Sequence, residues 1–184
     1  MEISPTDESL ARDVQQGNAE AFTVLFNRYE EKMLRYGRRF LYTYEDLEDA
    51  VQDVFIKTYQ NIKSFHVNKK FSTWLYRIAH NTFINVIKKK GREPVGFFDF
   101  DTLIKIPTRP SQTLQDDLSK KEDRESLEKN LKDLSPKYRE VLVLYYFEDM
   151  EYKEIADVLS IPISTVGVRI ARGRAMLKKV IFKE

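Results

Sequence analysis

Residues 152–174, YKEIADVLSIPISTVGVRIARGR, admit few arrangements other than two short helices crossing at a tight turn. Ile155, Ala156 and Leu159 have the spacing of a helix buried on one side, and the small alanine lets a second helix approach closely. Ile161-Pro162 ends that helix, because proline has no amide hydrogen to give and its ring clashes with the preceding turn. Ser164 is positioned to cap the next helix through its hydroxyl. Val166, Ile170, Leu177 and Ile181 then fall on one apolar stripe, with Arg169, Arg172, Arg174, Lys178 and Lys179 off it. A helix–turn–helix with cations on its free face suits a DNA groove, where they meet phosphates and base edges. A merely solvated amphipathic helix fits the same charges, so a second motif has to decide.

Overall basicity does not decide, since the 184 residues carry a net charge of only +2. The distribution of charge says more. Glu45, Asp46, Glu48, Asp49 and Asp53 form an acidic block and Lys88, Lys89, Lys90 and Arg92 a basic one, which predicts partners of opposite sign. With 42% hydrophobic residues the chain can build one ordinary core or two small ones. The absence of cysteine excludes disulfides, thiolate catalysis and cysteine-ligated zinc, and His66 and His80 are too few for a histidine metal site. No cofactor or metal is expected. No apolar run approaches the length of a membrane span, and the N-terminus is too polar and acidic for a secretory signal, so a cytoplasmic protein without membrane insertion is expected.

Helical periodicity runs through nearly the whole chain, without a convincing alternating strand; the expected fold is all-α, in two small helical domains. Helices are predicted over 9–16, from about Ala21 onward, over 46–62, and from Ser72 as cap to the lysine run closed by Gly91 and Pro94. Ser64 to Lys70 is a polar connection. Residues 96–118 hold two prolines and no sustained stripe and are read as a linker, although Phe97, Phe98 and Phe100 suggest that it covers a surface. A helix over 119–133 follows, then one begun by Ser135-Pro136, then the helix–turn–helix. The domains are accordingly 1–95 and 119–184.

The second motif is Trp74 to Asn81, WLYRIAHN, preceded by Glu48 to Phe55, EDAVQDVF. These two, with the helix–turn–helix placed after both, closely resemble the sigma-70 family of RNA polymerase sigma factors, in its small two-domain extracytoplasmic-function group. The resemblance covers nearly the whole chain, with region 2 on about 10–95 and region 4 on 119–184. It implies that Glu48, Asp49, Gln52, Asp53 and Phe55 dock on a coiled coil of the polymerase beta-prime subunit. Asp49 and Asp53 are one turn apart and project together; Phe55 reads either as an aromatic anchor there or as a core residue.

The resemblance further implies that the segment around 65–81 opens the promoter −10 element and captures an unstacked base of the non-template strand. Phe65 would border or stack on that base, Asn81 would hydrogen-bond its edge, and Asn68, Lys69 and Lys70 would form the surrounding loop. Arg77 and Lys88 are candidate phosphate contacts, whereas the spacing of Trp74 with Leu75, Ile78 and Ala79 favours the core over a stacking platform. Reading of the −35 duplex falls to Ser164, Thr165, Gly167, Val168, Arg169, Arg172 and Lys179 on the second helix. Gly167 stands where the family commonly has a basic residue, Val168 where it has Ser or Ala, and Glu151 where a Ser or Thr often caps the first helix. The family also implies the polymerase beta flap as a partner of region 4 and an anti-sigma factor as regulator. The rival reading is a stand-alone helix–turn–helix regulator, which would leave the acidic motif and WLYRIAHN unexplained. An enzyme is the remotest reading, for no glycine-rich phosphate loop, nucleophile motif or histidine cluster accompanies the carboxylates.

Overall fold

The computed structural model describes residues 4–41, 43–89, 131 and 134–182, with side chains through Lys179. Among the described residues there are seven α-helices and no strand: α1 Asp7–Gln15, α2 Ala19–Gly37, α3 Tyr44–Asn61, α4 Phe71–Lys89, α5 Pro136–Tyr146, α6 Tyr152–Leu159 and α7 Ile163–Phe182. The chain divides into two compact units, Met1–Pro94 and Val95–Glu184. The readings of 96–118 as a linker and of 119–133 as a helix lie outside the described residues, as does the stop at Gly91 and Pro94.

In the N-terminal unit α2 packs on α1 and α3, and α3 on α4. Each helix begins where a side chain can take an orphan amide. Thr6 caps α1 by accepting from Ser9 N, Asn18 caps α2, and Thr43 caps α3 by accepting from Asp46 N. Helix α4 starts at Phe71, one residue before the expected cap Ser72, and its first amide donates instead to the Glu8 carboxylate of α1 at 2.9 Å. A cap supplied from another helix has no local sequence signature.

The core of this unit is aromatic. Tyr36, Tyr76, Phe71 and Phe83 are its largest fully buried side chains, and Tyr36 meets Tyr76 edge-on at 5.1 Å between ring centroids. Such ring pairs add about 0.5–1.5 kcal/mol each beyond the area they bury. Gly37 closes α2 where a Cβ would stand 2.6 Å from Leu47 Cδ1 and 3.0 Å from a Phe83 ring carbon, so only glycine lets α2 end against α3 and α4.

The C-terminal unit is mainly aliphatic. Helix α7 packs on α5 and α6. Val166, Ile170 and Leu177 are buried as their spacing predicts, and the stripe is completed by Gly173, where a Cβ would come within 3.0 Å of Leu142 Cδ1 on α5. Pro136 occupies the first turn of α5 as expected. The turn between α6 and α7 is made by Ser160, whose left-handed φ of 54° reverses the chain, with Ile161 N donating to Ala156 O at 3.1 Å. Ser164 lies inside the first turn of α7, which starts at Ile163, and is not its cap. At the start of α6 the Glu154 carboxylate accepts from Glu151 N at 2.9 Å, so that position is capped without a Ser or Thr.

Candidate nucleic-acid interface

Acidic side chains of α3 line part of its surface. Glu48, Asp49, Gln52 and Asp53 are exposed, while Leu47, Val51, Val54 and Phe55 of the same helix are buried. Asp53 makes only an exposed contact at 3.6 Å with Lys57 one turn on, worth about 0–1 kcal/mol. Exposed Tyr44 flanks this face; its hydrogen bond to Glu48 pushes the phenol's pKa up. Of the two readings of Phe55 the structure selects the core: it is 4% exposed, and its ring meets Phe26 at 4.6 Å and Phe22 at 6.5 Å.

Between the second half of α3 and α4 lies an open cleft of about 330 Å³, lined by Lys57, Asn61, Ser64, Trp74, Ile78, Asn81, Thr82 and Asn85. It offers an indole, several carboxamides able to donate and accept, and an ammonium that also donates to the Thr82 hydroxyl at 3.3 Å. This combination suits a planar heteroaromatic ligand with polar edges beside an anionic backbone. Asn81 is exposed and projects into the cleft from α4.

The two nearby aromatics exchange the places expected of them. Phe65 is 4% exposed, wedged against Phe71 at 5.6 Å and Trp74 at 5.2 Å, and does not border the cleft. Trp74 is half-buried and lines it. Phe65, on the irregular segment, turns inward to pack edge-on against buried Phe71, and Trp74 on α4 covers the pair and is left at the rim. Lys57, Asn61, Ser64 and Asn85 were not singled out from the sequence. The four-residue steps 57–61 on α3 and 81–85 on α4 were visible there, but not that the two margins face each other.

The loop before α4 exposes Asn68, Lys69 and Lys70, with Lys69 N closing a turn on His66 O at 2.9 Å. Arg77 and Lys88 are exposed on α4, outside the residues lining the cleft.

On α7 the exposed face carries Ser164, Ala171, Ala175, Lys178 and Lys179, with Thr165, Gly167, Val168 and Arg172 partly exposed beside it. Arg169, expected on that face, is 5% exposed. It follows Val166 by three residues and precedes Gly173 by four, so it sits on the flank of the buried stripe and is turned inward. Arg174 is also drawn inward, stacking over the rings of Tyr145 at 5.4 Å and Tyr146 at 5.3 Å. Burial pushes the phenols of Tyr146 and Tyr152 up despite the opposing effect of Arg174. A Cβ at Gly167 would meet only the Tyr152 ring, at 3.7 Å, so glycine there is not required by packing.

Among the described residues no group of His, Asp and Glu could hold a metal ion, and no helix is long and apolar enough to cross a membrane.

An acidic helix face, a polar cleft with an indole wall and a helix–turn–helix occur in one chain in the order of a sigma factor, and sequence comparison agrees. Sigma-70 region 2 matches residues 25–93 and Sigma-70, region 4 matches residues 124–177. The chain belongs to the sigma-70 family of RNA polymerase sigma factors. Its relatives define the group. It is 37% identical over 175 residues to the ECF RNA polymerase sigma factor SigW of Bacillus subtilis, covering 91% of this chain and 92% of that protein. It is 32% identical over 178 residues to the ECF RNA polymerase sigma-E factor of Escherichia coli strain K12, covering 92% and 91%. Among solved structures, CnrH in complex with the cytosolic domain of CnrY superposes with a TM-score of 0.67 at 25% identity, over 97% of this chain and 98% of that one. This chain is accordingly an extracytoplasmic-function sigma factor.

Proposed function

We propose that the protein joins bacterial core RNA polymerase through the α3 acidic face and holds an unstacked base of the −10 non-template strand in the cleft between α3 and α4. The cleft carries this reading, since Trp74 supplies a stacking wall and Asn61, Asn81 and Asn85 supply hydrogen-bonding edges within a single 330 Å³ space. Stacking on an aromatic side chain contributes about 1–3 kcal/mol per base, enough to hold a base once polymerase has opened the duplex. Glu48, Asp49, Gln52 and Asp53 dock on the beta-prime coiled coil. Lys69, Lys70, Arg77 and Lys88 follow the strand as phosphate contacts, and Asn68 shapes the loop beside it.

In the region 4 domain, residues 119–184, α7 enters the −35 major groove. Ser164, Thr165 and Val168 are suited to base edges, and Arg172, Lys178 and Lys179 to bases or phosphates. Residues 96–118 link the units through the RNA exit path, region 4 meets the beta flap, and an anti-sigma protein holds the factor inactive. The protein works in the cytoplasm and catalyses no reaction; its effect is to tether polymerase and stabilise opened promoter DNA.

In vitro transcription with bacterial core polymerase tests this function. Promoter-specific starts that depend on this protein are expected. Binding to duplex DNA without any new start would instead support the stand-alone regulator.

A further inference from the structure

The short helix α1 precedes the residues matched by region 2, yet it holds both ends of the loop that leads into α4. At one end the Gln15 carboxamide donates both its hydrogens, to Ile62 O and to Phe65 O, each at 2.8 Å. These carbonyls bracket the single 3-10 turn Ile62–Ser64 that ends α3. At the other end the Glu8 carboxylate accepts from Phe71 N at 2.9 Å and so fixes where α4 begins. Between the two anchors lie Phe65, which supports Trp74, and the exposed Asn68, Lys69 and Lys70.

Helix α1 is itself firmly held. Leu10, Ala11 and Val14 are buried, and Asp7 accepts from Arg28 at 2.7 Å and from the Tyr29 hydroxyl. Arg28 also donates to Pro5 O at 2.9 Å and to Ser4 Oγ at 2.8 Å. Neither Gln15 nor Glu8 lines the cleft.

We propose that Gln15 and Glu8 are positioning residues for single-strand capture: α1 sets the loop 62–71 against α4, and thereby the register of Trp74 and the loop cations relative to Asn81. The inference rests on the reading of the cleft as a base site. Its chemistry is directional. Two carbonyl oxygens facing one side chain require a donor there; the Gln15 amide satisfies both, whereas a carboxylate would repel both.

The test uses full-length protein in reconstituted holoenzyme. The probe is the single-stranded hexamer that wild-type holoenzyme selects from a randomised pool. Gln15→Leu keeps the size and loses the donors, and should weaken probe binding by about tenfold while affinity for core polymerase is unchanged. Gln15→Glu should weaken it further, and Gln15→Lys, which retains a donor, should stay within about twofold of wild type. At the other end Glu8→Leu should weaken binding and Glu8→Gln, still an acceptor, should preserve it; this pair decides the matter if the Gln15 variants fail to fold. Faster amide exchange at 66–70 in Gln15→Leu, with α2 and α3 unaltered, would mark a loop released from its anchor. If Gln15→Leu and Gln15→Glu bind the probe like wild type while Asn81→Ala loses it, the positioning role is overturned and the cleft assignment stands. Equal losses in Gln15→Leu and Gln15→Lys would also overturn it, by showing that packing and not donation matters. If Asn81→Ala binds normally, the cleft assignment falls and takes the positioning role with it.

Discussion

The two units solve the problem of presenting polar groups to nucleic acid in different ways. In the N-terminal unit the candidate site is a concavity between two helices, backed by rings: Trp74 rests on Phe65 and Phe71, which are themselves buried. In the C-terminal unit the candidate site is a convex helix, and what positions it is the absence of bulk beneath it, at Gly173 against Leu142. A concave site needs large rigid walls. A protruding helix needs small residues that let it sit close to its support.

This difference also explains which functional residues could be read from sequence. A protruding helix obeys its own periodicity, so the buried stripe of α7, and with it the opposite exposed face, followed from the spacing of Val166, Ile170 and Leu177 alone. The reading failed at Arg169, because chemical type placed a guanidinium outside while the angle at that position lies beside the buried stripe. It missed Gly173, which occupies the stripe without being apolar. A cleft obeys no single helix, so Asn61 and Asn85 stayed hidden until α3 and α4 were seen side by side. Asn81 was found only through the WLYRIAHN motif. Helix existence was legible throughout the described residues, whereas the start of α4 was not, since its cap comes from Glu8, 63 residues earlier in the chain.

The contrast between the two cores is the first thing to challenge. Phe83→Ala removes a fully buried ring from the N-terminal unit and should cost about 3–5 kcal/mol, and Leu142→Ala should cost the C-terminal unit about 2–5 kcal/mol. Chemical denaturation read by circular dichroism checks both. Losses below 1 kcal/mol would mean that these cores are not close-packed as described.

Arg169→Ala sharpens the contrast between face and flank. As a buried side chain it should lower stability by about 1–3 kcal/mol and weaken all −35 duplexes alike. Fluorescence anisotropy over a panel of duplexes distinguishes this from base reading, for which the loss would concentrate on particular sequences.

Ser160→Gly should raise the melting temperature slightly, by the equivalent of about 1 kcal/mol or less. It relieves a left-handed serine but adds chain entropy to the unfolded state. Differential scanning calorimetry gives the sign, and a clear loss would show that the turn depends on the serine side chain.

The smallest effect on stability belongs to the acidic face. Asp49→Ala with Asp53→Ala should change the unfolding free energy by no more than about 0.5 kcal/mol, since both carboxylates are exposed. The same double variant should weaken binding to core polymerase strongly. Unchanged core affinity, with native-like circular dichroism, would remove the docking face from α3.

Trp74 is the sole tryptophan in the chain and lines the cleft, so the proposed base site carries its own reporter. Replacing it biosynthetically with 5-hydroxytryptophan lets this position be excited selectively within holoenzyme containing unlabelled core polymerase. Promoter opening, or addition of the selected single strand, should quench the emission through base stacking, and Asn81→Ala should abolish that quenching. Duplex −35 DNA should leave it unchanged. Emission that stays constant while permanganate reactivity shows the promoter to be open would contradict the account, because a base would then leave the stack without entering this cleft.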